Sequence, residues 1–193
     1  MDITFRQATI DDALFIARGF QMAMLMEDVP EDHTRLFADV ICRREDVLYS
    51  WRNTLIAEAD GVALGMVTAY DGRYYRGWRE TTLKLVREHL GVEFPGMEDE
   101  AVPGEYYVDS LAVLPEYRRQ GIGRELLQHA ITQGRDLGLK VTLAVEYDND
   151  RAQHLYRSLG FEPDGNLFIF GHDYQKMVSP LPASPVRGGA RSF

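Results

Sequence analysis

Residues 105–131, EYYVDSLAVLPEYRRQGIGRELLQHAI, join a β-rich run to an amphipathic run through a turn that holds two glycines. A strand that ends in such a turn and opens a helix aims backbone N–H groups and the positive end of the helix dipole at one point. That point attracts phosphate. Gly121 and Gly123 keep Cβ atoms out of the approach, and Arg118, Arg119 and Arg124 can add charge-assisted contacts. The rival reading is a solvated basic turn, and the position between strand and helix favours the cradle. The spacing predicts a helix from Gly121 to about Leu137, with Ile122, Leu126, Leu127, Ala130, Ile131 and Leu137 on one face and Gly138 ending it.

Around this unit the chain alternates strand and helix signals. ITFRQ reads as a short strand, Thr9 and Asp11 as helix N-cap candidates, and helical spacing runs from Asp12 to about Glu27, with a second helix over Glu31–Arg44. Asp60-Gly61, between two β-rich runs, predicts a hairpin with a type I′ turn. Residues 73–104 are too long for a hairpin loop and carry helical spacing from about Arg79 to Leu90, so they read as an insertion with its own structure. KVTLAVEY reads as a strand, NDRAQHLYRSLGF as a helix ended by Gly160, and GNLFIFGHDYQKMV as one long or two short strands. The Pro-, Gly- and Ser-rich residues 179–193 read as a disordered tail behind a single domain over 1–178.

Bulk properties narrow the function. The 193 residues, 45% hydrophobic and 26% charged, suit one soluble domain, with no run apolar enough for a membrane span and a cytoplasmic address expected. A formal charge of -9 argues against nucleic acid as the partner and suits a cationic acceptor, although acidity also serves solubility. The single cysteine, Cys42, reads as packing, and the five histidines as surface or structural, without metal-ligand pairing.

The glycine turn is neither a Walker A loop, which needs a following Gly-Lys-Ser/Thr, nor the dinucleotide GxGxxG, since residue 126 is Leu. Arg118-Arg119-Gln120-Gly121-Ile122-Gly123 resembles the R/Q-x-x-G-x-G/A signature of the GCN5-related N-acetyltransferase (GNAT) family, and NDRAQHLYRSLGF resembles its N-x-x-A-x-x-L-Y-x-x-x-G-F segment. With the opening strand and helix, the resemblance covers roughly residues 2–70 and 105–177.

The resemblance implies an α/β (α+β) fold: a mixed, mostly antiparallel sheet of about seven strands flanked by helices and splayed at strands 4 and 5. It implies acetyl-CoA as co-substrate, with its pyrophosphate on Arg118, Arg119, Gln120, Gly121, Ile122, Gly123 and Arg124, and its pantetheine arm on free backbone groups of Leu111 and Val113. Asn149 matches the position that contacts the CoA arm, beside its reading as a helix N-cap. Tyr156 matches the general acid that protonates the departing thiolate. The implied reaction is direct transfer of acetyl to a primary amine of a small molecule or peptide, with the thioester oxygen polarised by the Val113 N–H.

The general base is less defined. A period of two would put Tyr107, Asp109 and Leu111 on one face, which the resemblance implies lies near the acceptor, making Asp109, directly or through a water, the candidate and Glu146 and Glu105 its rivals. The insertion, with Tyr74, Tyr75, Trp78 and arginines, would shape an acceptor pocket or serve as a flap or homodimer contact. The alternative from another class is a CoA-binding sensor or interaction module of the same fold without turnover.

Overall fold

Asp60 and Gly61 both take left-handed backbone, φ 51° and 76°, the pair a type I′ turn requires. They join β2 (Thr54–Ala59) to β3 (Val62–Asp71). The computed structural model describes residues 1–26 and 28–179; Ser179, the first residue of the expected tail, is instead the buried end of the last strand, paired with Val141, and residues 180–193 lie outside the described residues. The other elements are β1 (Thr4–Gln7), α1 (Ala13–Ala23), α2 (Glu31–Phe37) with a π-helical continuation over Ala38–Cys42, α3 (Tyr75–Leu90) and β4 (Glu105–Val113). They are followed by α4 (Ile122–Asp136), β5 (Lys140–Glu146), α5 (Asp150–Ser158), β6 (Glu162–Ile169) and β7 (His172–Ser179).

The strands form one seven-stranded sheet in the order β1-β2-β3-β4-β5-β7-β6. Only β4 and β5 run parallel, joined by α4; every other neighbour is antiparallel. This is the expected mixed, mostly antiparallel sheet with helices on both faces. On one face α4 buries Ile122, Leu126, Leu127, Ala130 and Ile131 against β-strand residues such as Val67, Val108 and Leu143. Leu137, expected on that face, is instead exposed at the helix end. Gly134 is where α4 touches the sheet, because a Cβ there would stand 2.7 Å from Val141 Cγ2 and 2.8 Å from Tyr106 Cβ. On the other face α1, α2 and α3 pack Ile16, Phe37, Ile41 and Val86 over Ile56, Met66, Tyr70 and Tyr107.

Several boundaries differ from the sequence reading for visible reasons. Leu25 has φ 52°, which takes the chain out of helix geometry, and α1 stops at Ala23 rather than near residue 27. α3 begins at Tyr75, four residues before the expected start, because Tyr75 is fully buried and Trp78 sets its ring edge-on to Tyr70 at 6.0 Å. Packing holds a first turn that Tyr, Gly and Trp would not hold by propensity. Phe170 and Gly171 turn the last run into two strands.

The insertion leaves and returns through a narrow neck. Gly72 N–H donates to Glu105 O at 2.8 Å, and a Cβ on Gly72 would lie 2.2 Å from Val102 O. Its far end is tied to the β6–β7 turn: Glu98 N–H donates to Phe168 O at 3.1 Å, Phe168 N–H donates to the Glu98 carboxylate at 2.6 Å, and Phe94 meets Phe170 edge-on.

Candidate active site at the parting of β4 and β5

Parallel pairing between β4 and β5 runs only from Glu105 with Lys140 to Val108 with Leu143. Beyond it the strands part. β4 keeps its bonds to β3, and Ala144–Glu146 pair only with β7, so an open wedge forms at the carboxyl ends of both strands. Ligands of open sheets with a crossover helix collect at such ends. Leu114 N–H donates to Leu64 O on β3; by the alternation of an antiparallel ladder, the N–H and C=O of Leu111 and Val113 therefore point away from β3, into the wedge. The Val113 carbonyl accepts from Arg118 Nε at 3.0 Å.

Asp109 causes the change of face. Thr68 pairs with Ser110 and Ala69 with Val108, which leaves Asp109 as the extra residue of a β-bulge. Before the bulge Tyr107 faces the α1 side; after it Leu111 and Val113 face the α4 side. The expectation that Tyr107, Asp109 and Leu111 share one face is therefore corrected, since one extra residue reverses the alternation.

The glycine turn carries the geometry that an anion needs. Gly121 is the N-cap of α4 with φ 88°, a conformation that strains any side-chain-bearing residue, and Arg119 precedes it at φ 64°. The first helical bond is Glu125 N–H to Gly121 O at 3.1 Å, and no side chain caps the helix. The amides of Ile122, Gly123 and Arg124 are thus without helical partners. Gly123 has no such backbone need, as a Cβ there would make an ordinary 3.5 Å contact with Val113 Cγ2. Arg118, Arg119, Gln120 and Arg124 are exposed around the turn, and Arg124 donates to Ser158 Oγ at 2.8 Å.

Across the wedge, Asn149 caps α5 by accepting from Ala152 N–H at 3.1 Å, so its capping role is realised. Gln153 ties α5 to the end of β5 by donating to Glu146 O and Tyr147 O at 3.1 and 3.0 Å. Tyr156 packs against Phe161 with ring centroids 6.0 Å apart. Its hydroxyl has no hydrogen-bond partner among the described residues, and burial pushes it up to about 12.

Asp109 lies on the other side of the wedge. It accepts from Tyr70 Oη at 2.7 Å and from Ser110 Oγ at 2.8 Å. Burial raises its carboxyl above the ordinary range, and the Tyr70 and Ser110 hydroxyls pull the other way. Asp109 and Tyr156 are not brought together by any bond in the structure, since their packing partners belong to opposite faces of the sheet. Of the rival bases, Glu105 is buried and held by Lys176 at 2.8 Å and Lys140 at 3.3 Å, a structural ion pair. Glu146 remains open at the end of β5, accepting from Tyr174 Oη at 3.3 Å.

The structure adds a carboxylate that the sequence did not single out. Glu100, in the irregular end of the insertion, is buried and accepts from Tyr107 Oη at 2.7 Å and from Tyr75 Oη at 3.4 Å. Burial first, and Asp109 second, push its carboxyl up to about 7. Glu100 lines a cavity of about 510 Å³ together with Glu146, Tyr49 and Tyr174, and His33 and His172 also line it. A residue in an irregular loop has no periodicity to betray it. Its only signal was a buried-sized tyrosine pair, Tyr75 and Tyr107, needing a partner.

A sheet that opens between two parallel strands, opposite an uncapped helix N-terminus, is the frame expected of the family named above, and the model of the acetyltransferase (GNAT) family matches residues 20–161. The chain belongs to the GNAT family. Among the relatives of this GNAT chain, N-alpha-acetyltransferase 40 of Saccharomyces cerevisiae is 31% identical over 154 residues, covering 73% of this chain and 49% of that protein. The chain spans about half the length of the curated relatives it matches. A crystal structure of an acetyltransferase superposes with a TM-score of 0.74 at 26% identity, covering 93% of this chain and 100% of the other. The structure of yncA from Salmonella typhimurium, solved with its cofactor acetyl-CoA, has the same fold at a TM-score of 0.57 and 21% identity, covering 96% and 98%.

Proposed function

We propose that this GNAT chain is an acetyl-CoA-dependent N-acetyltransferase acting directly on a primary amine of a small molecule or peptide. The observation that carries the reading is the wedge, where the Leu111 backbone groups and the Val113 N–H are turned away from β3 on the strand that leads to the uncapped α4 N-terminus. A pantetheine arm carries amides that can pair with a strand edge, and its pyrophosphate suits the α4 amides.

In this reading the amides of Ile122, Gly123 and Arg124, with Arg118, Arg119 and Gln120, hold the pyrophosphate, and Gly121 supplies the turn. Leu111 and Val113 align the pantetheine, and Asn149 flanks it from α5. The thioester then sits between the two faces of the sheet. The amine nitrogen attacks the acetyl carbon while the Val113 N–H steadies the oxygen. As the C–N bond forms and the C–S bond breaks, the proton of the amine leaves to a carboxylate, with Asp109 as the candidate. The sulfur takes its proton from Tyr156. A phenol held near 12 stays protonated throughout the neutral range, as an acid must.

The test combines binding with turnover. Acetyl-CoA should raise the melting temperature, and an amine panel should release free CoA with a matching acetylated product by mass. Tight acetyl-CoA binding with no turnover for any amine would favour the sensor module instead, and no binding would end the reading.

A further inference from the structure

One cavity among the described residues shares no lining residue with those assigned to CoA. It is the cavity of about 510 Å³ beneath α1, α2 and α3, on the sheet face opposite α4. This size accommodates a group much bulkier than a methyl, within the usual range of small-molecule sites. Most of its wall is apolar: Phe20 and Phe37 from α1 and α2, Leu83, Val86 and Leu90 from α3, and Phe94 from the insertion. Its floor reaches the wedge, because Glu146 ends β5 and Tyr49 neighbours the Asp109 carboxylate.

The charges sort by position. Glu100 and Glu146 stand on the lining, with Asp28 also on the wall. The single arginine there, Arg79, is turned to the insertion, donating to Met97 O at 3.1 Å and lying 3.7 Å from Asp99, while its buried Nε has no partner among the described residues. Two carboxylates next to an apolar chamber suit a ligand that is cationic at one end and apolar for the rest. A hydroxyl or amide deep in the chamber would meet few partners and lose its hydration.

We infer that this cavity is the acceptor site, and that it selects primary amines whose nitrogen is carried on a bulky apolar group, with the ammonium at Glu100 and Glu146 and the apolar group between α1, α2 and α3. The inference rests on the transferase reading above. The shared chemistry could come from an arylalkylamine or from a peptide that begins with a large apolar residue. Small or hydroxylated amines would leave the chamber unfilled.

The wild-type protein with acetyl-CoA should be assayed on phenethylamine and a Phe-initiated tripeptide against ethanolamine and a Ser-initiated tripeptide, following CoA release and product mass. The expected result is kcat/KM about tenfold or more higher for at least one apolar amine than for its hydroxylated counterpart. Leu83→Trp, at a half-buried wall position, should lower kcat/KM about tenfold or more on the preferred amine only, with the acetyl-CoA melting shift intact. Equal or better turnover of ethanolamine and the Ser peptide, or an equal loss on both kinds of amine in Leu83→Trp, would overturn the acceptor class and leave the transferase standing. No melting shift and no CoA release with any amine would overturn the transferase reading, and the acceptor class with it.

Discussion

Glu100→Gln should make the protein more stable, and more so as pH rises. The wild-type carboxyl is pushed from its ordinary 4.5 to about 7 by burial and by Asp109. A folded state that holds a proton more tightly than the unfolded chain is favoured below pH 4.5, and that advantage is lost as pH rises through about 7. At 1.36 kcal/mol per pH unit the full difference is roughly 3 kcal/mol. Gln keeps the shape and removes the charge. Its amide oxygen can accept from Tyr107 Oη where the carboxylate does at 2.7 Å, and its amide nitrogen can donate to Tyr75 Oη at the 3.4 Å position. Tyr107 thus keeps its acceptor, and the Tyr75 hydroxyl, which also accepts from the residue 100 N–H at 3.1 Å, gives up only the long 3.4 Å bond it donates. Thermal unfolding of both proteins at pH 4.5 and pH 8 should show melting temperatures close together in acid, and the variant higher by on the order of 5–10 °C in base. Parallel pH profiles, or a gap that is larger in acid, would refute the reasoning that Glu100 carries a suppressed charge.

Three further outcomes follow from contacts described above. Tyr156→Phe should lower kcat by about 100-fold or more while acetyl-CoA still raises the melting temperature, because only the proton donor is lost; an unchanged kcat would remove Tyr156 as the acid. Gly121→Val should lose roughly 1–2 kcal/mol from the left-handed backbone at φ 88° and abolish the acetyl-CoA melting shift, which calorimetric titration would check. Lys176→Met should lower stability by about 1–3 kcal/mol in urea unfolding, since Glu105, only 2% exposed, loses its 2.8 Å ion pair and keeps Lys140 at 3.3 Å with the neutral donors Val102 N–H and Thr142 Oγ1.

The glycine turn and α4 were legible because two signals agreed, a glycine where φ is positive and a helical stripe from Ile122 to Ile131 that lands on the sheet. The Asp60-Gly61 hairpin was legible for the same reason, as its chemistry fits one turn type. The bulge at Asp109 was not, because nothing in EYYVDSLAV distinguishes a continuous period of two from one interrupted by an extra residue. Only pairing with Thr68 and Ala69 reveals it. Burial also turned Tyr75 and Trp78 into the first turn of α3, a tertiary effect that propensity opposes. Glu100 reached the cavity through the fold of the insertion, so its role could not be read before that fold was known.

The neck at Gly72 separates two kinds of change. With entry and exit of the insertion joined at 2.8 Å by Gly72 and Glu105, the β3–β4 ladder closes whatever lies between them. Loop closure depends only weakly on the length of the segment bridged. A change in length within residues 73–104 thus costs little at the neck itself, while Tyr75 and Val86 must still cover the sheet beneath them. On the reading proposed above, the segment that would choose the acceptor thus enters and leaves at one seam of the sheet, and its exposed residues can vary there while the strands that would hold the donor stay paired.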